Sequence, residues 1–281
     1  MEETLKAANL DWEPLEDTVS GTDTAIVMPR MKLLYRSDTK EALGVVGKGY
    51  SPSQPREFLK EQFEFADFIK GKVTRAGFLE ERCRAFAFVK LDVKMDIPCG
   101  ARKLGDPMAA YIYSTDGWDG ATPRRSRLYI ERLRCLNGQV SREIKSNMWV
   151  SHTSNRAELH SKRWKTFMND LQQDVDGIKV EFTKLAQARM TADQFEDFLK
   201  KLMPSEGTKA DNRRTKLVEL FNTGEGNEGK TRWDAFNAVT EYATHFRNYR
   251  ETDVRSVETN RFLGVMERNK LGKQALNLLL N

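Results

Sequence analysis

Little in this chain is suited to covalent or metal chemistry. Three cysteines, Cys83, Cys99 and Cys135, occur in 281 residues. Odd in number and widely spaced, they fit neither a disulfide framework nor a four-ligand zinc site, and a reducing cytosol is the expected compartment. Histidines are equally scarce: His152, His160 and His245 include no pair at helical ligand spacing. His152, beside Thr153 at the end of an expected strand, reads as a hydrogen-bonding residue rather than a catalytic one. Long apolar runs are missing too. No window approaches the roughly 20 apolar residues that cross a bilayer, and the acidic opening segment MEETLKAANLDWEPLED lacks the apolar stretch of a secretion signal. Nor does one sign of charge dominate. With 46 basic and 41 acidic residues the formal net charge is +5, so a case for a polyanionic partner must rest on local clustering.

What is present points to a folded α+β chain. Hydrophobic residues make up 39% and charged residues 31%, enough for a core beneath a heavily charged surface. Residues 1–30 read as a polar N-terminal arm anchored by Leu5, Leu10, Trp12 and Leu15. Residues 31–155 read as an antiparallel sheet with one early helix. MKLLYRSD and ALGVVGKGY form a hairpin about Asp38–Lys40, and Pro55 opens a helix carrying Phe58, Leu59, Phe63 and Ala66. In KVTRAGFLEERCRAFAFVKLDV, apolar side chains on both parities predict a second hairpin with a central strand. MAAYIY is a further strand, and RLYIERLRCLNG is assigned as strand despite imperfect parity, since Leu128 and Ile130 share a face with Arg132 and Arg134.

Residues 156–281 read as a helical region that packs on the sheet or mediates self-association. Trp164, Phe167, Leu171, Val175, Ile178, Phe182 and Leu185 recur every three or four residues, predicting one helix of about 30 residues. Thr191 with Gln194 predicts a capping box, SEGTKADNRR a linker, Arg213–Phe221 a short helix, and TRWDAFNAVTEYATH a further one.

The densest mixture of basic, aromatic and turn-forming residues lies between Tyr111 and Asn155. Arg124, Arg125, Arg127, Arg132, Arg134 and Lys145 lie among Trp118, Tyr129 and Trp149, and Lys162, Arg163 and Lys165 follow on the long helix. Cations spaced along strands with rings between them suit a polyanion with stackable bases. The candidate nucleic-acid-binding set is therefore Arg124, Arg125, Arg127, Arg132, Arg134, Lys145, Tyr129, Trp149 and Arg163, in a groove where sheet meets helix. The alternative is a solvated basic face with its rings in the core. GEGNEGKT, Gly224–Thr231, satisfies the phosphate-loop pattern letter for letter. It follows no buried strand, however, and Glu225 and Glu228 would crowd a phosphate, so it reads as a flexible connector whose Thr231 caps the next helix. Cys135 reads as a small buried thiol before a nucleophile. No cofactor, metal or catalytic residue is expected.

Seven separated segments then combine. LDWEPLED, LLYRSDTKEALGVVGKGYSPSQPREFL, AGFLEERCRAFAFVKL, YSTDGWDG, RLRCLNG, VSHTSNRAEL and TRWDAFNAVTEYATH resemble, in order, the phage/plasmid-like protein family defined by a domain of unknown function. The likeness covers about residues 10–250. The chain departs from it at RCLNG, where a polar residue is usual after the cysteine, and at WVSHT, where a basic residue usually precedes His-Thr. The resemblance implies a protein of mobile elements in the cytoplasm of a bacterial host. The order of elements also resembles single-strand annealing proteins of the RecT and Erf kind, which implies rings or filaments. The expectation is a non-enzymatic, self-associating single-stranded DNA-binding protein. Its competitors are a factor that binds a host or viral replication protein and, further off, a nucleotide hydrolase using Lys230 or a nuclease.

Overall fold

Proline placement, alternation and capping set the element boundaries. A computed structural model describes residues 1–23, 26–98, 105–134, 136–139, 145–154, 156–252, 255–266 and 269–281, with the side chains of 137–139, 156–158 and 161 left aside. In chain order the elements are α1 (Glu2–Ala7), β1 (Pro14–Ser20), β2 (Val27–Arg36), β3 (Ala42–Gly47), α2 (Pro55–Phe68), β4 (Lys72–Leu79), β5 (Arg84–Lys90) and β6 (Met95–Ile97). They continue with β7 (Asp106–Gly117), β8 (Arg124–Arg132), β9 (Asn137–Gln139), β10 (Asn147–Val150) and α3 (Arg156–Gln187). The helical remainder is α4 (Ala192–Leu202), α5 (Thr208–Thr223), α6 (Arg232–Glu241), α7 (Val257–Met266) and α8 (Lys270–Leu280). The class is α+β with antiparallel sheets, as the patterning predicts. The chain divides into two compact units, Met1–Asp92 with Tyr111–Leu128 and Lys145–Leu171, and Val93–Ala110 with Tyr129–Ile144 and Gln172–Asn281.

The first unit holds a three-stranded sheet, β1-β2-β3, and a larger sheet ordered β10-β8-β7-β5-β4. The β2–β3 hairpin turns where expected. Arg36 fixes the turn by donating to both carboxylate oxygens of Asp38, at 2.9 and 2.7 Å, and these hydrogen bonds lower the Asp38 pKa to about 2. The same guanidinium lies 5.0 Å from the Trp12 ring centroid and 5.4 Å from that of Phe78. Leu5, Leu10, Trp12, Leu34, Phe58, Leu59, Ala85, Ala87 and Trp118 share one apolar core. The opening segment thus supplies a helix, an edge strand and four core residues, Leu5, Ala8, Leu10 and Trp12. β5 lies between β4 and β7, and both its faces are covered, with Ala85, Ala87 and Val89 buried on one and Phe88 on the other.

In the second unit the start of β7 pairs with β6 and the end of β8 with β9. Its helices close over rings: Phe182, Trp233 and Phe236 meet at centroid distances of 4.9 to 5.8 Å, and Phe195 stacks on Phe221 at 4.1 Å. Thr191 and Thr231 both cap helices in capping boxes. α5 begins at Thr208, within the segment read as a linker. Polar residues there form an exposed helical face, so composition alone hid the helix.

Candidate nucleic-acid interface

Strand parity sorts the basic residues of the first unit onto opposite faces of the larger sheet. Register pairs Asn147 with Arg127 and Trp149 with Arg125 on one face, and Met148 with Ser126 and Val150 with Arg124 on the other. Arg75 pairs with Phe88, and Phe88 with Tyr113, on the first of these faces.

That face has an aromatic floor carrying guanidiniums. Phe88 and Tyr113 are buried, with ring centroids 4.9 Å apart. Arg75, exposed, lies 4.7 Å from the Phe88 centroid and 5.6 Å from that of Tyr111. Arg127 lies 5.1 Å from the Tyr113 centroid. Arg75 and Arg127 sit three strand spacings apart, roughly 14 Å. Arg125 donates to the Asn147 side chain at 2.8 Å. At the sheet edge Trp149 is 48% exposed, and Arg163 of α3 lies 4.7 Å from its ring while donating to its backbone carbonyl. A cation over a ring gains about 0.5–1 kcal/mol at exposed sites, which holds these planes in place more than it stabilises the fold.

The opposite face is structural. Arg124 is 6% exposed and donates to Asp116 at 2.9 and 2.6 Å and to Glu61 of α2 at 2.8 Å. Asp116 also accepts from Ser53 and lies 3.1 Å from His152 Nε2. Burial alone would raise the Asp116 pKa, but the Arg124 guanidinium, then His152 and Ser53, outweigh it and hold the carboxyl well below its usual range. Burial likewise opposes the charge on Arg124, and Asp116 and Glu61 overcome it. Glu61 in turn lies 2.9 Å from His160 Nε2. This network joins β7, β8 and α2.

The single track expected from sequence is therefore corrected. Arg124 is locked on carboxylates, and Trp118, fully buried, donates to the Ser53 carbonyl at 2.8 Å. In the second unit Arg132 is also fully buried, donating to Asp106 at 2.7 Å, with Trp233 donating to the same oxygen at 2.8 Å. Arg134 donates to the Gly105 carbonyl and lies 3.6 Å from Asp106, and Tyr129 is buried. Burying a cation requires a carboxylate partner, and those partners take Arg124 and Arg132 out of reach of a strand. Arg125, Arg127, Lys145, Trp149 and Arg163 remain together in the first unit, and sequence reasoning missed Arg75. Its signal was parity: in the β4–β5 hairpin an arginine stands opposite an apolar strand's phenylalanine. Cys99 and Cys135 lie outside the described residues, and Cys83 is a partly buried free thiol that burial pushes up in pKa.

The phosphate-loop pattern is occupied by its own helix. The Asp234 carboxylate accepts from the backbone amides of Lys230 and Thr231, each at 3.1 Å, using the donors a phosphate would need. The Lys230 carbonyl accepts from the Met190 amide at 3.0 Å, so the segment is pinned rather than loose. Among the described residues no group of three or more His, Cys, Asp or Glu side chains is arranged to hold a metal ion, and no helix is long and apolar enough to cross a membrane.

A family model described as Domain of unknown function (DUF932) matches residues 42–263, and the chain belongs to that family. It is the family whose phage and plasmid members the ordered segments resemble. No curated protein and no solved structure matches the chain, and nothing supports the likeness to annealing proteins.

Proposed function

We propose that the protein binds single-stranded nucleic acid, DNA in the first instance, across the Arg75–Arg125–Arg127–Trp149 face, without hydrolysing a nucleotide. One observation carries this reading: guanidiniums held over a buried aromatic floor, beside a half-exposed indole, on one sheet face. Guanidinium planes and the indole give unpaired bases surfaces to stack on, while the charges track phosphates. A duplex keeps its bases stacked inside and is read through its grooves by a helix or narrow ribbon, a shape this broad face does not have. Protecting or annealing strands during recombination or replication of a mobile element is the setting that suits such a face.

Fluorescence anisotropy with single- and double-stranded oligonucleotides of one sequence tests the proposal. The single strand should bind more tightly, and its affinity should fall steeply as salt rises. Equal or tighter binding of the duplex, or no binding alongside stoichiometric capture of a protein partner, would overturn it.

A further inference from the structure

Beyond the edge of the proposed face, where β10 meets the start of α3, the first unit has a concavity of about 430 Å³. Its lining combines three cations, Lys145, Lys162 and Arg163, with one carboxylate, Asp170. Asn147 and Thr166 add hydrogen-bonding groups, and Met148, Trp149 and Phe167 add apolar surface. The volume lies in the range of small-ligand sites, about 300–1,000 Å³.

Its charge is informative. Three cations against one carboxylate leave two positive charges, whereas a phosphodiester within a strand carries one negative charge. A monoester phosphate carries roughly −1.5 to −2 at pH 7 and three acceptor oxygens. Arg163 is held at the mouth by its bond to the Trp149 carbonyl and its position over the Trp149 ring, so little ordering remains to be done on binding. The half-exposed Trp149 indole is the broad apolar group of the lining, Met148 and Phe167 being nearly buried, and Asn147 and Asp170 add polar groups.

We propose that this concavity takes a nucleotide ending in a monoester phosphate, with the phosphate among Lys145, Lys162 and Arg163 and the base against Trp149. The ligand is then either a free nucleoside monophosphate or the phosphorylated end of a strand. The idea rests on the nucleic-acid reading, yet is tested separately from it.

Five probes distinguish the outcomes: deoxyadenosine 5′-monophosphate against deoxyadenosine, and one single-stranded oligonucleotide prepared with a 5′-phosphate, with a 3′-phosphate and with neither. Binding is followed calorimetrically on the full chain. The expected result is at least about tenfold preference for a phosphorylated probe over its unphosphorylated partner, the scale of a hydrogen bond between charged groups. The Lys145→Ser/Lys162→Ser variant, altered at two exposed lysines, should lose that preference while its circular dichroism stays unchanged. Preference for the free monophosphate alone identifies a small-molecule ligand, and preference for one end-labelled oligonucleotide identifies the strand end. Oligonucleotides bound without regard to terminal phosphate, with no monophosphate binding, would overturn the proposal and leave the sheet-face reading standing. Monophosphate binding with no oligonucleotide binding would do the reverse. A preference that survives the double variant would also overturn it.

Discussion

Two neighbouring arginines have opposite duties. Arg124 lies buried among Asp116 and Glu61, while Arg125 lies on the other face against Asn147. Removing one partner of a buried pair strands the other, at a cost of about 3–5 kcal/mol. Asp116→Ala should therefore lower the unfolding free energy from urea titration by about 3 kcal/mol, with Glu61 retaining part of the interaction. Arg125→Ala should change it by less than about 0.5 kcal/mol while weakening oligonucleotide binding. The reverse ranking would mean that the faces have been exchanged. The same carboxylate makes a pH prediction. The Asp116 pKa is depressed in the folded state, so its contribution is fully present above the ordinary aspartate value of about 3.9 and is lost as pH falls through the folded value. Stability should drop more steeply below about pH 4 in the wild type than in Asp116→Asn. Parallel acid titrations of the two would contradict this.

At the level of elements, helices and hairpins were legible because their signals are local. Pro55 at the first turn of α2, Thr191 with Gln194 at α4 and the heptad-like run along α3 need no tertiary information. Thr191→Ala, which removes the acceptor for the Gln194 amide, should cost about 1 kcal/mol, read as a lower denaturant midpoint at unchanged slope. Gly229 has φ +65, and a Cβ there would come within 2.5 Å of the Asn222 side-chain oxygen. Gly229→Ala should thus destabilise α5 and α6, whereas Lys230→Ala, at a largely exposed side chain, should leave the same midpoint unmoved. The basic stretch was harder to read. Alternation in RRSRLYIER puts Arg124 and Arg132 on the parity of Leu128 and Ile130, which signals burial, but the carboxylates that make burial tolerable stand at the two ends of β7. Asp106 and Asp116 frame an apolar strand, and only its pairing shows which arginine each serves.

For the whole molecule, a net charge of +5 carries little information until the cations are sorted by face. Sorting puts Arg75, Arg125 and Arg127 on one sheet face, with the exposed Lys72 and Lys90 on the same parity at its end and Trp149 at the edge. Each cation that neutralises a phosphate on a single strand contributes about 0.7 to the slope of log K against log salt. The most direct test is therefore that slope, measured by anisotropy for the wild type and for Arg75→Ala/Arg125→Ala/Arg127→Ala. Weaker binding and a slope shallower by about 2 are expected, in a variant that unfolds at the wild-type denaturant midpoint. An unchanged slope and affinity in that folded variant would contradict the sheet-face reading.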